Sequence, residues 1–110
     1  MMYRIVLDEL VLERDLKPID PRDRERILRA IRKKLTEAPG DFGSPLGGGL
    51  KGFWKLRVGA YRVVYRILEK EKLVDVVLVG FRRNEEAYDK MIGRVKPPGF
   101  IRRRRSSRRS

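Results

Sequence analysis

The chain contains no histidine and no cysteine. That removes the ordinary general base, the commonest metal ligand and all thiolate chemistry. Any reaction here must run on arginine, lysine, tyrosine and carboxylates. The basic candidates are grouped. Lys55, Arg57, Arg62 and Arg66 fall within G-F-W-K-L-R-V-G-A-Y-R-V-V-Y-R, residues 52–66. Arg82 and Arg83 follow a long apolar run, and Tyr88 comes six residues after Arg82. Cations collected in this way suit a phosphate: arginine offers a planar fork of donors to non-bridging oxygens, and lysine offers a point charge. The chemistry within reach is that of a phosphodiester.

Residues 52–66 read with a period of two, as a β-hairpin. Gly59-Ala60 stands between the runs, and glycine first in a two-residue loop marks a type II′ turn. That turn pairs Val58 with Tyr61, Arg57 with Arg62, Leu56 with Val63, Lys55 with Val64 and Trp54 with Tyr65. One face then carries Trp54, Leu56, Val58, Tyr61, Val63 and Tyr65, which is core material. The other carries Lys55, Arg57, Arg62 and Arg66, with no acid alternating among them. Arg57 and Arg62 stand directly opposite, where like charges destabilise unless something offsets them. A shared anion is the simplest offset. Phe53 has the parity of the basic face and is the candidate for stacking a base.

The rest of the chain supplies the support. Residues 3–7 read as a first strand. Asp8 caps a short helix with Leu12 and Leu16 on its buried side, ending near Pro18. Asp20-Pro21 starts a second helix over 21–37, with an apolar stripe at Ile27, Ala30, Ile31 and Leu35. Residues 38–52 are rich in glycine and proline and predict a loop with neither helix nor strand, returning Leu46 or Leu50 to the core. Their G-G-G lacks the G-K-[ST] of a phosphate loop. L-V-D-V-V-L-V-G-F, residues 73–81, reads as a strand buried on both faces. A last helical turn or two is expected over 85–91, and Pro97-Pro98 ends order. The expected fold is α+β, in the order β-α-α-β-β-β plus a short C-terminal helix. Two helices pack on a small antiparallel sheet whose first strand lies at an edge.

At 110 residues this is one domain, expected over 1–96, followed by an Arg-rich disordered tail over 97–110. Net charge is +13, and six arginines with no acid in the last ten residues leave +7 on the rest. The folded part is therefore basic in its own right, which favours a polyanionic partner. No apolar run is long enough to span a membrane, and the N-terminus enters a patterned strand rather than a signal peptide. The expectation is a cytoplasmic protein with no membrane contact, no metal and no cofactor.

F-W-K-L-R-V-G-A-Y-R-V-V-Y-R followed by V-G-F-R-R-N-E-E-A-Y resembles the RelE/ParE superfamily of toxins of type II toxin–antitoxin systems, over roughly residues 3–92. In its RelE branch, the resemblance implies a ribosome-dependent mRNA endonuclease (an mRNA interferase) that inhibits translation without a metal. It implies catalytic roles for Lys55, Arg57, Arg62, Arg82 and Tyr88. Phe53, Arg66 and Arg83, beside that set in the sequence pattern, are the expected RNA contacts. The implied reaction is attack of a 2′-hydroxyl on the adjacent phosphorus, with Arg62 and Arg82 stabilising charge and Tyr88 or Lys55 handling protons. The resemblance also implies a cognate antitoxin as partner, in a hetero-oligomer. Two other readings stay open at this point: a ParE-like inhibitor of gyrase, and a non-catalytic RNA- or ribosome-binding module of the same fold.

Overall fold

Apolar residues carry the chain into strand β1, Arg4–Leu7, of a computed structural model that describes residues 2–81. The expected helix over 85–91, the stop at Pro97-Pro98 and the tail over 97–110 lie outside the described residues. At the end of β1, Asp8 is fully buried. Its Oδ1 accepts from the Leu10 N–H at 3.0 Å, as a helix-capping aspartate does. The turn it starts winds wide over Val11–Asp15, and the Leu16 N–H donates to the Val11 carbonyl at 3.0 Å, five residues back. This π-type winding brings Val11 and Leu16 to the buried side and leaves Leu12 40% exposed. The expected Leu12/Leu16 pairing, drawn for an α-helix, is corrected accordingly.

Asp20 caps helix α1, Pro21–Ala30, by accepting from the Arg22 N–H at 2.8 Å. Pro21 costs nothing there, because the first helical N–H has no partner to lose. The helix continues with wider winding over Ile31–Leu35. Ile27, Ile31 and Leu35 form its buried line.

The stretch 38–52 differs from expectation. It holds a single helical turn, α2, Pro39–Phe42, and a two-residue strand, β2, Ser44–Pro45. A 3-10 turn follows at Gly48–Leu50. Proline is tolerated at the first position of a helix and on an edge strand. The composition excluded long elements here, not short ones.

Three strands follow: β3, Trp54–Val58, β4, Tyr61–Leu68, and β5, Leu73–Phe81. The β3–β4 register matches all five expected pairs, including Arg57 opposite Arg62. Gly59 has φ +58° while Ala60 stays in negative φ, the signature of a II′ rather than a I′ turn. The sheet order is β1-β5-β4-β3-β2. The first strand does lie at an edge, but β1 runs parallel to β5, with Arg4 opposite Leu73 and Leu7 opposite Val76. The five-stranded sheet is therefore mixed rather than antiparallel. Two hairpin reversals make β3 and β5 run the same way, and the helical crossover returns the chain so that β1 runs with both.

The helices cover one sheet face. Val11, Leu16, Ile27, Ile31 and Leu35 pack there against Leu56, Val63, Tyr65, Val74 and Val76. The opposite face is partly covered too: Leu50 joins Val64, Val77 and Leu78 in a second cluster, with Leu46 and Phe53 packed against it. Strand β5 is thus buried on both sides, as its apolar run predicts. A bulge helps: Leu78 and Val76 face Val64 and Tyr65, leaving Val77 as the extra residue.

Tyr65 is fully buried and donates its hydroxyl to the Pro39 carbonyl at 2.6 Å. Burial pushes its phenol up to about 12. The unfolded chain loses that proton near the ordinary value, while the folded chain keeps it. The stabilisation is complete below about pH 10 and disappears as pH rises toward 12. Urea unfolding across this window is expected to show wild type losing about 2 kcal/mol more than Tyr65→Phe. Equal losses in the two proteins would contradict the assignment.

Candidate phosphate-binding site on the basic sheet face

Strand alternation lifts Lys55, Arg57, Arg62 and Arg66 onto the face away from the helices, and cross-strand register sets them in rows. In the row nearest the hairpin turn, Arg57 faces Arg62, and Arg62 faces Gly80 of β5. Directly opposed Cβ atoms in such a ladder stand about 5 Å apart, so the two arginines share one end of the face. Gly80 adds no side chain beside Arg62. In the next row, Ser44 faces Lys55, Lys55 faces Val64, and Val64 faces Leu78. Arg57 is exposed, while Lys55 and Arg62 are half-buried.

Two local features fix this end of the sheet. An added Cβ at Gly43 would overlap the Tyr65 hydroxyl and lie 3.0 Å from the Lys55 carbonyl. Only glycine lets the chain pass so close to β3 at Lys55. On the other side, β5 runs past the end of β1, where its edge would be bare. There Asp15 Oδ2 accepts from the Val79 N–H at 2.9 Å. This bond holds the β5 exit in register beside Arg62.

The remaining sequence candidates fall into three groups. Phe53 is half-buried and packs against the Leu50–Val64–Leu78 cluster. Arg66 is two positions beyond Val64 on the same face, and its Nε donates to Asp75 Oδ2 at 3.1 Å. Arg82, Arg83 and Tyr88 lie outside the described residues. The described chain ends at Phe81, opposite Tyr61 and next to Gly80.

Sequence reasoning missed Asp75 and Phe81. Asp75 is 1% exposed and is the lone charge in an otherwise apolar strand. The turn at 69–72 sets it directly opposite Arg66, so an acid in an apolar run across from an arginine was the available signal. Phe81 is 54% exposed and stacks on Tyr61, with centroids 4.9 Å apart and rings 25° from parallel. Burial first, and then its hydrogen bond to Asp23 Oδ2 at 2.9 Å, raise the Tyr61 phenol above its ordinary value. Tyr61 therefore holds its proton and is no base at neutral pH.

The fold is a small α+β domain with Lys55, Arg57 and Arg62 on one sheet face. The model of the ParE toxin of type II toxin–antitoxin systems matches residues 5–86, and the chain belongs to that family, within the RelE/ParE superfamily of toxins. No curated protein matches it by sequence. Among solved structures, it is similar to a RelBE toxin–antitoxin complex from Mycobacterium tuberculosis at 27% identity and TM-score 0.71, covering 76% of this chain and 95% of that one. It is similar to an E. coli RelE variant bound to a peptide of the antitoxin RelB, at 28% identity and TM-score 0.61, covering 87% of this chain and all of that one (100%). Isolated E. coli RelE, at 21% identity and TM-score 0.61 over 84% of this chain and 97% of that one, shares the fold. Among the described residues no helix is long and apolar enough to cross a membrane.

Proposed function

We propose that this toxin is a ribosome-dependent mRNA endonuclease that cuts without a metal. The observation that carries the reading is the row in which Arg57 and Arg62 face each other, with Lys55 one row away on the same face. Such a pair is costly alone and favourable around a phosphate. In the reaction, the 2′-hydroxyl of one nucleotide attacks the adjacent phosphorus and the bond to the 5′-oxygen of the next nucleotide breaks. The products are a 2′,3′-cyclic phosphate and a 5′-hydroxyl. Arg62 and Arg82 stabilise charge on the phosphorane oxygens. Lys55 and Tyr88 are the groups that take and return protons, and Arg57 holds the phosphate in line. Phe53, Arg66 and Arg83 contact flanking RNA.

A cognate antitoxin is the proposed protein partner. Its complementary chemistry is an acidic, amphipathic segment that covers the basic face, and the RelB-type partners in the similar structures support this reading. The proposed place of action is the cytoplasm, where ribosomes translate.

Purified protein added to translating ribosomes should cut the mRNA and leave 5′-hydroxyl ends; intact transcripts alongside full binding would defeat the reading. The match to the ParE model favours a second reading, inhibition of DNA gyrase without nuclease chemistry. A supercoiling assay separates the two, because an endonuclease toxin leaves gyrase turnover unchanged.

A further inference from the structure

Arg66 and Arg62 lie on the same face of β4, four residues apart, with Val64 between them. At the rise of an extended strand their attachment points are about 13 Å apart, on the order of two nucleotides of an extended single strand tracking a basic face. Asp75, directly across the ladder from Arg66, accepts from its Nε at 3.1 Å. Asp75 is 1% exposed, whereas 39% of the Arg66 side chain remains accessible. The buried carboxylate takes the Nε, and the guanidinium keeps further donors on its terminal nitrogens. Val64 lies between the two arginines on this face and belongs to an apolar cluster with Leu50, Val77 and Leu78, against which half-buried Leu46 and Phe53 pack, a surface suited to a base rather than a phosphate.

We infer that Asp75 is a positioning residue that fixes Arg66 as a second phosphate seat, about two nucleotides from the phosphate held at Arg57 and Arg62. This rests on the RNA-cleaving reading and adds to it a footprint of set length. The competing role is purely structural, in which Arg66 only neutralises a buried acid. The two roles differ in what they predict. A positioned seat shows up as a step in affinity at a particular RNA length, which neutralisation does not produce.

The test is binding of single-stranded RNA oligonucleotides, 2′-deoxy at the reacting position, to the full chain as length grows one phosphate at a time. Cleavage of mRNA on ribosomes is followed in parallel. Arg66→Lys keeps the charge beside Asp75 but loses the fork. The double variant Arg66→Gln/Asp75→Asn keeps a neutral hydrogen-bonding pair, so neither leaves a buried charge alone. Wild type is expected to gain about tenfold in affinity at the length that reaches the second phosphate. Both variants should lose that step while binding the shortest oligonucleotides as wild type does. On ribosomes, the apparent KM should rise with kcat held. A step that survives in both variants, or a double variant that binds all lengths equally well or tighter than wild type, overturns the inference. If Arg62→Ala weakens binding at every length while the step persists in the Arg66 variants, only the second seat falls. If wild type binds RNA at no length, the inference falls together with the RNA-cleaving reading.

Discussion

Replacing Arg62 and Arg82 together by alanine should abolish growth arrest on induced expression and reduce mRNA cleavage by at least about a thousandfold. Each donor aimed at a developing oxyanion accounts for roughly 10²–10³ in rate, and the account assigns both guanidinium groups to the same phosphorane. Urea unfolding of the same variant, run in parallel, separates loss of the site from loss of the fold. Arg62→Lys keeps a point charge but loses the planar fork, and it should fall between wild type and the double variant. Wild-type cleavage in the double variant would remove both arginines from the mechanism.

Arg66→Ala should cost the fold. Asp75 is almost completely buried on β5 with the Arg66 Nε at 3.1 Å. Taking one partner from a buried pair costs about 3–5 kcal/mol when both are buried. Arg66 is partly solvated, which places the expected loss nearer about 2–3 kcal/mol. The double variant Arg66→Gln/Asp75→Asn should recover most of that loss, because it removes the buried charge along with its partner. A fall below about 0.5 kcal/mol in the single variant would mean that the pair contributes no more than an ordinary surface bridge.

The parts legible in the sequence were those governed by short-range rules. Asp20-Pro21 specifies a capped helix start, and Gly59-Ala60 specifies a turn whose type fixes the register of every pair in the hairpin. The placement of Lys55, Arg57 and Arg62 on one face follows from that register alone. What was not legible depends on winding or on distant partners. Val11 replaced Leu12 at the helical interface because the turn after Asp8 winds by five residues rather than four. The parallel pairing of β1 with β5 joins residues about 70 positions apart, and no local pattern encodes direction. The loop over 38–52 escaped because one-turn elements are stabilised by neighbours such as Tyr65, whose hydroxyl bonds the Pro39 carbonyl. Asp75 was visible as a lone acid in an apolar strand, but its burial and its bond to Arg66 emerge only when β4 and β5 are laid side by side.

The most direct measurement is the mapping of mRNA 5′ ends after brief induction of wild type and of Arg62→Ala/Arg82→Ala in matched cells. Wild type should produce new 5′-hydroxyl ends inside translated regions, and the double variant should produce none and grow normally. Equal growth arrest in the two, with transcripts intact in both, would contradict it.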